Sequence, residues 1–288
     1  YDGPPLEPLE LYTKKSGDEI TGQLYSFSDK GGRQVALRPE MTPTLARMVA
    51  AKANALRKPV RWFSIPQLFR YERKQRGRLR EHFQLNVDII GEADVTADAE
   101  LLSVAIDIMR AFGLTSSDVR ARVSDRRLLR GLLVLTGITD DMLPGVYAVV
   151  DKMDREPRAS LETKLRAAGL HDVFIARVFE VLKHPDLATL RERYGDVPEL
   201  REDFTRLARY FEHLDALGLR DWVEFDLSIV RGLAYYTGIV FELFDAKREL
   251  RAICGGGRYD SLLKHLGGAD LPALGFGMGG VVLGELLR

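Results

Sequence analysis

Basic residues are concentrated in one short stretch, residues 70–80, where six of eleven residues are arginine or lysine. Apolar segments precede and follow this stretch, so its charges are expected on a loop beside two strands. The planar guanidinium group of arginine matches phosphate oxygens in a bidentate manner. The stretch therefore predicts a loop that binds nucleotide phosphates, and a solvated hairpin tip is the alternative.

Three further segments combine glycine with polar or aromatic residues. Residues 231–238 hold an arginine, two glycines and a tyrosine pair, which indicates a polar pocket floor or a glycine-bounded hairpin with core aromatics. Residues 255–260 and 275–280 allow a ligand to approach the backbone closely, and a strand bulge is the alternative for the first. Neither continues as a P-loop, and the first lacks the spacing of a dinucleotide fingerprint.

The remaining inventory excludes several other sites. The five histidines show no metal-ligand spacing, and no nucleophile elbow or nucleophile–base pair is evident. Arginines, tyrosines, glutamates and glycines suit the binding of an anionic nucleotide and an amino group. Catalysis would then proceed by positioning and charge stabilisation. We expect the single cysteine, Cys254, to be a small core residue rather than a nucleophile.

The elements that must position these residues begin with a strand–loop–strand unit over residues 60–91. Residues 60–72 are apolar and aromatic and predict a buried strand, with Pro66 near an edge or a bulge. Residues 82–91 alternate in polarity and predict its antiparallel partner. The basic stretch is the loop between the two.

Two helices are predicted in the first part of the chain. Residues 44–56 form one, with Thr42 and Pro43 as its start signal. Residues 96–112 form the other, with a capping threonine at its start and a glycine as its stop.

Helix-like segments dominate residues 126–217, which predicts an inserted helical subdomain. The other predicted strands are residues 34–37, 118–124, 222–227, 239–244 and 249–254, and a short helix ends the chain. The predicted fold class is α+β, an antiparallel β-sheet with flanking helices and a helical insertion. The predicted division is residues 1–125 and 218–288 for the two parts of the core and 126–217 for the insertion.

Composition is that of an ordinary globular protein. The 288 residues include 42 Lys and Arg against 42 Asp and Glu, a balance that argues against a histone-like or polybasic-tail protein. No apolar run approaches the roughly 20 residues of a membrane-spanning helix. One cysteine permits no intrachain disulfide, so we expect a reducing, cytoplasmic location and no membrane. The chain begins at Tyr1 without a signal-peptide pattern, and we expect a fragment.

Taken together, these segments resemble the class II aminoacyl-tRNA synthetases, specifically the histidyl-tRNA synthetase family, over nearly the whole chain. Four matches in order carry the resemblance: LRPEMT at 37–42, FRYER at 69–73 with Gln84 beyond it, VRGLAYYTG at 230–238 and GGRYD at 256–260. The resemblance implies the class II catalytic core and its reaction. In that reaction L-histidine and ATP give histidyl-adenylate and pyrophosphate, and histidine is then transferred to tRNA(His).

The resemblance also implies roles for individual residues. Those implied to bind L-histidine are Glu40, Thr42, Gln84, Asp88, Tyr235, Tyr236 and Tyr259. Those implied to bind ATP are Arg70, Glu72, Arg78 and Arg231. Of these, Arg70 and Arg231 face the α-phosphate and are the catalytic residues. Glu72 lies next to the adenine amino group, and Arg78 lies near the distal phosphates.

The implied partners are L-histidine, ATP, tRNA(His) and a second copy of the chain, with Mg²⁺ accompanying ATP and no certain metal site on the protein. The acceptor end of tRNA would meet four basic residues that could equally be solvated: Arg73, Lys74, Arg76 and Arg80.

The sequence departs from the family pattern in three places. Val281 and Val282 stand where motif 3 has an arginine for the γ-phosphate, and Ala234 stands where aspartate is common. We also expect both ends to be short relative to the family, with only the tail of motif 1 and no anticodon-binding domain after Arg288.

Two other functions remain open on the sequence. One is the synthetase-like regulatory subunit of ATP phosphoribosyltransferase in histidine biosynthesis, which shares the fold and an element like residues 38–43 but makes no adenylate. The valines at the motif 3 position keep this alternative open, whereas the survival of Arg70, Gln84 and Arg231 favours the synthetase. The other is an inert nucleic-acid-binding module, which the balanced charge argues against.

Overall fold

The computed structural model describes residues 1–13, 22–71, 79–153, 156–183, 186–231 and 235–288. The strands are β1 Leu6–Pro8, β2 Ser26–Ser28, β3 Gln34–Leu37, β4 Val60–Ser64, β5 Gln67–Phe69, β6 Glu81–Ile90, β7 Val119–Asp125, β8 Val223–Phe225, β9 Ile239–Asp245, β10 Cys254–Arg258 and β11 Ala273–Gly279. The α-helices are α1 Leu9–Thr13, α2 Thr42–Ala50, α3 Thr96–Ala111, α4 Arg126–Leu135, α5 Leu143–Val150, α6 Arg158–Ala167, α7 Asp172–Leu182, α8 Leu187–Tyr194, α9 Arg201–Ala216, α10 Leu262–His265 and α11 Gly280–Leu286. Short 3-10 helices cover Pro198–Leu200 and Arg220–Trp222. None of the described helices combines the length and apolar character needed to cross a bilayer.

Among the described residues, eight strands form the main sheet in the order β4-β6-β11-β10-β9-β7-β8, with β5 paired to the other end of β6. Its neighbouring strands are antiparallel except β7 and β8, which run parallel. Parallel neighbours require a long crossover, and the helices between β7 and β8 supply it. The α+β prediction is confirmed, with this parallel pair as a refinement. A smaller sheet has the order β1-β3-β2.

The strand–loop–strand unit over residues 60–91 is confirmed, but its first half is two strands. Pro66 separates β4 from β5, and both pair with β6, which is long enough to bind each in turn. Proline lacks the N–H that a continuous ladder needs, so it lies at the interruption.

Both predicted helices are present, and the second begins at Thr96 as predicted, but their caps and ends differ from the prediction. Helix α2 begins at Thr42 and its N-cap position is Met41, which makes no side-chain cap. Thr42 is therefore not the capping residue, and the helix ends at Ala50 rather than at residue 56. Helix α3 has Val95 at the N-cap position, so the predicted threonine cap is also wrong.

One face of the main sheet is covered by helices. A continuous cluster of buried apolar side chains joins α3 to the helices between β7 and β8 and to the central strands. Asp125, at the end of β7, accepts hydrogen bonds from the backbone N–H groups of Arg127 and Leu128 and so starts α4 directly from the strand. The helical content of this range is as predicted, and its division from the core stays a prediction.

The predicted strand at residues 249–254 is wrong. The strand is Cys254–Arg258, so the glycine run itself is the central strand β10, paired on both sides. The predicted strand at 222–227 is shorter than expected, because Trp222 belongs to a 3-10 turn and β8 ends at Phe225. Glycine is weakly represented in strands, so composition pointed to a loop or a bulge.

Candidate functional site

Three tyrosines lie together against two buried carboxylates, and we call this group the tyrosine pocket. Its members are Tyr235, Tyr236, Tyr259, Glu40 and Asp88. The ring of Tyr235 lies 5.1 Å from that of Tyr236 and 5.8 Å from that of Tyr259, measured between centroids. Each ring is at most 8% exposed. The pocket thus offers aromatic faces and hydroxyl groups to a small ligand.

The carboxylates of the tyrosine pocket are held by tyrosine hydroxyls. Tyr235 donates a 2.8 Å hydrogen bond to Oε2 of Glu40, and Tyr259 donates to Oδ1 of Asp88. A side-chain hydrogen bond from Thr42 also reaches Tyr235, so the hydroxyl that does not cap α2 faces the pocket instead. Two carboxylates beside a group of aromatic rings suit the binding of an ammonium group.

Asp88 is the carboxyl group of the pocket whose ionised form is disfavoured by burial. Burial raises the pKa of this carboxyl from 3.8 to about 7, because desolvation outweighs the hydrogen bonds from Tyr259 and Tyr1. Asp88 therefore keeps its proton to a higher pH than an ordinary carboxyl does. A cationic ligand would favour its ionised form and displace the proton.

A second hollow of about 240 Å³ adjoins the pocket, and we call it the arginine cavity. Its charged side chains among the described residues are Arg70, Arg231, Arg251 and Glu242. Gln84 and His82 of β6 also line it, as does the start of α11. Three arginines against one glutamate make a positively charged hollow of the kind that binds a polyanion.

Arg231 occupies a strained position between the two hollows. Its φ angle is +59°, in the left-handed region that non-glycine residues rarely adopt. Its guanidinium forms an ion pair with Glu242 and lies 6.0 Å from the Tyr236 ring centroid. Burial alone would lower the pKa of this guanidinium, but Glu242 raises it above its ordinary value. Its Nε atom is buried and finds no hydrogen-bond partner among the described residues.

The glycines of β10 and β11 make room for these side chains. A Cβ at Gly255 would lie 2.4 Å from the Arg231 guanidinium, and one at Gly275 would lie 2.1 Å from Oδ1 of Asp88. A Cβ at Gly277 would press on the Gln84 amide at 2.8 Å. The glycine-rich strands therefore form a floor on which side chains from other segments lie.

The structure brings nine of the eleven predicted site residues to these two adjoining hollows. Arg70 is held at the cavity by donating from Nε to the carbonyl of Pro39, 2.9 Å away. Glu72 and Arg78 lie outside the described residues, together with Arg73, Lys74, Arg76 and Ala234. Arg80 lies 4.3 Å from the Tyr71 ring centroid, at the base of the basic stretch.

Three residues of the site were missed by sequence reasoning. The Tyr1 hydroxyl donates to Oδ2 of Asp88 at 3.3 Å, and its ring stacks on Trp62. Glu242 lies on β9 and pairs with Arg231, and Arg251 precedes β10. Glu242 could have been found from the sequence, because it is a glutamate among the apolar residues of β9. Tyr1 has no such signal in the sequence around it.

Cys254 agrees with the sequence expectation. Cys254 is 2% exposed, and burial raises the pKa of its thiol, so it is a core residue and not a nucleophile. Among the described residues, no group of three or more His, Cys, Asp and Glu side chains is placed to hold a metal ion.

Comparison with known proteins places the chain among close relatives. The pattern of the family described as histidyl-tRNA synthetase matches residues 2–280. The chain is 49% identical over its whole length to the histidine–tRNA ligase of Opitutus terrae and 46% identical to the chloroplastic/mitochondrial histidine–tRNA ligase of Arabidopsis thaliana. It spans 66% and 58% of the lengths of these two proteins.

A solved structure from Bacillus halodurans, described as an ATP phosphoribosyltransferase regulatory subunit/histidyl-tRNA synthetase, resembles the whole chain with a TM-score of 0.84. The chain covers 74% of that structure, and the two are 24% identical, so this likeness shows the fold alone.

Proposed function

The chain belongs to the histidyl-tRNA synthetase family, and from this premise we propose that it activates L-histidine with ATP and transfers the histidine to tRNA(His). The observation that carries the proposal is the adjacency of the two hollows. An aromatic, doubly acidic pocket suits an amino acid, and a triply basic cavity beside it suits a polyphosphate. Arg231 contacts the tyrosine pocket through Tyr236 and also lines the arginine cavity.

In the proposed first step the histidine carboxylate attacks the α-phosphorus of ATP. A bond forms between a carboxylate oxygen and phosphorus, the bond to the bridging oxygen of the β-phosphate breaks, and pyrophosphate leaves. Negative charge develops on the α-phosphate oxygens. Arg70 and Arg231 would stabilise that charge, with no covalent role for the protein.

The tyrosine pocket would hold the amino acid during this step. Glu40 and Asp88 would bind its ammonium group, while Gln84 and Thr42 would line the pocket beside it. The three tyrosine rings would surround the imidazole. Glu72 and Arg78, which lie outside the described residues, keep their proposed places at the adenine amino group and the distal phosphates.

Magnesium would arrive with ATP rather than occupy a prebuilt site. Mg²⁺ typically binds through one or two carboxylates together with substrate phosphates and water. Glu242 is the carboxylate that lines the arginine cavity among the described residues, so the donor set fits a substrate-borne ion. When bound, the ion would neutralise charge on the leaving pyrophosphate.

In the proposed second step the terminal ribose hydroxyl of tRNA attacks the carbonyl carbon of histidyl-adenylate, and AMP leaves. The basic residues of 73–80 would contact the acceptor end. We also propose a homodimer and a cytoplasmic location, although one relative is named chloroplastic/mitochondrial. The regulatory-subunit alternative would retain the tyrosine pocket without adenylation.

The experiment is histidine-dependent exchange of labelled pyrophosphate into ATP, with other amino acids as controls. We expect exchange with histidine alone. Histidine binding without exchange by the folded chain would favour the regulatory subunit. Salt-dependent RNA binding without ATP binding would favour the inert nucleic-acid module.

A further inference from the structure

The arginine cavity draws its three guanidinium groups from three separate segments. Arg70 follows β5, Arg231 precedes β9, and Arg251 precedes β10. The first two have proposed roles at the α-phosphate, whereas no role has been given to Arg251. Among the described residues that line the cavity, three are arginines and one, Glu242, is acidic, which suits a ligand that carries more than one negative charge.

The strand register places Arg251 at the end of the cavity formed by the start of α11. Cys254 on β10 pairs with Met278 on β11 in an antiparallel ladder. Continuing this register by three residues places Arg251 level with Val281, where β11 passes into α11. Val281 and Val282 also line the cavity and carry no charge. Arg251 therefore supplies the positive charge at this end of the cavity.

Arg231 and Arg251 reach the cavity from different segments of the chain. The guanidinium of Arg231 lies over Gly255, as the close approach of a Cβ at that position shows. Arg251 lies four residues before Gly255 and lines the same cavity. Two guanidinium groups that reach one cavity from different segments can each contact a different phosphate of one ligand.

We infer that Arg251 binds the distal phosphates of the nucleotide, at the end of the cavity where Val281 and Val282 offer no charge. The inference rests on the proposed function for the identity of the nucleotide. It assigns the α-phosphate to Arg70 and Arg231, and the β- or γ-phosphate to Arg251. It also explains how this chain can bind the distal phosphates with valines where the family has the motif 3 arginine.

The test compares ATP with AMP, which lacks the distal phosphates. Calorimetry on the unchanged chain and on Arg251→Ala measures both affinities. We expect Arg251→Ala to weaken ATP binding by about 10- to 100-fold, the usual range for a lost charge-assisted hydrogen bond, and to leave AMP binding within about twofold. Arg248→Ala is the matched control, because Arg248 lies on the same loop, is exposed and pairs with Glu224 outside the cavity.

A second variant restores the positive charge from another residue at the same end of the cavity. Val282→Arg in the Arg251→Ala background is expected to recover at least about fivefold of the lost ATP affinity, because both side chains line the same cavity. Arg251→Gln, which keeps a polar side chain without the charge, replaces Arg251→Ala if thermal melting shows that the alanine variant is unfolded. Its expected pattern is the same.

The inference is overturned if ATP affinity is unchanged, or if ATP and AMP affinities fall together. Pyrophosphate exchange by the unchanged chain separates this failure from that of the proposed function. If the unchanged chain shows exchange and Arg251→Ala has the same KM for ATP, the inference alone is removed. If the unchanged chain binds ATP but shows no exchange, and Arg251→Ala weakens that binding, the proposed synthetase activity alone is removed. No ATP binding by the unchanged chain would overturn both.

Discussion

The two hollows bury charged groups, whereas the helical region between β7 and β8 buries apolar side chains. The hollows bury carboxylates, an ion pair and a backbone in the left-handed region at Arg231. The helical region buries leucine, valine and phenylalanine, and leaves ion pairs such as Arg166 with Asp172 exposed. Buried unpaired charge destabilises a fold, whereas buried apolar area stabilises it. The difference indicates that the helical packing offsets a site that is arranged for binding.

The sharpest test of the comparison is Arg231→Ala. Loss of a preorganised charge at the transition state typically lowers the rate by about 100- to 1000-fold. We expect that fall in histidine-dependent pyrophosphate exchange, with an unchanged circular dichroism spectrum. Arg166→Ala in the helical region is the matched control, because Arg166 is half exposed and surface pairs contribute little. Near-normal exchange in Arg231→Ala would remove this residue from the proposed mechanism.

The converse test is Leu165→Ala in α6, a fully buried leucine of the helical region. Removal of a buried leucine typically lowers the free energy of unfolding by about 2–5 kcal/mol. We expect that loss in urea denaturation, with KM values for histidine and ATP unchanged at a temperature where the chain is folded. A changed KM at full folding would show that the helical region also shapes the site.

Asp88→Asn tests the cost of the buried carboxyl. The pKa of Asp88 is raised from 3.8 to about 7, so the folded chain retains a proton that the unfolded chain releases near pH 4. The contribution of Asp88 to wild-type stability therefore falls as pH rises from about 4 to 7, and the variant lacks this contribution. Burial also raises the pKa of Asp98, to about 6, and its contribution is the same in both proteins. We expect Asp88→Asn to be the more stable protein at pH 8 by roughly 2–4 kcal/mol, and to bind histidine more weakly.

Thermal melts between pH 4 and 8 measure this difference. The matched control is Asp94→Asn, because hydrogen bonds lower the pKa of Asp94 to about 2 and its contribution is lost only as pH falls through that value. The control should leave the shape of the curve above pH 4 unchanged. A difference between Asp88→Asn and wild type that does not grow with pH would contradict the prediction.

The smallest expected effects separate two kinds of glycine. A Cβ at Gly256 would lie 2.4 Å from the carbonyl oxygen of Gly275, so Gly256→Ala should destabilise the chain by about 1–3 kcal/mol. Gly284, in α11, has open space around it, so Gly284→Ala should stabilise the chain by up to about 1 kcal/mol. Equal effects in chemical denaturation would contradict the role of β10 as a closely packed floor.

Much of the fold could be predicted because its signals are local. The β4–β6 pairing and helix α3 follow from periodicity within a few residues. The site residues came from motifs, each of which is also short. Errors arose where local preference and tertiary packing disagree, as at β10, whose glycines are unfavourable in an isolated strand. Thr42 carried a cap signal, yet its hydroxyl faces Tyr235.

The sequence by itself determined most of the elements and the residue types of the site, because these depend on composition and short-range spacing, and its motifs carried the resemblance to the family. Only the tertiary structure decided which side chains meet. Asp88 meets Tyr1 and Tyr259, and Arg231 meets Glu242, because sheet register joins residues that are far apart in the chain. The raised pKa of Asp88 has the same origin, since burial is a property of the assembled sheet and not of a segment.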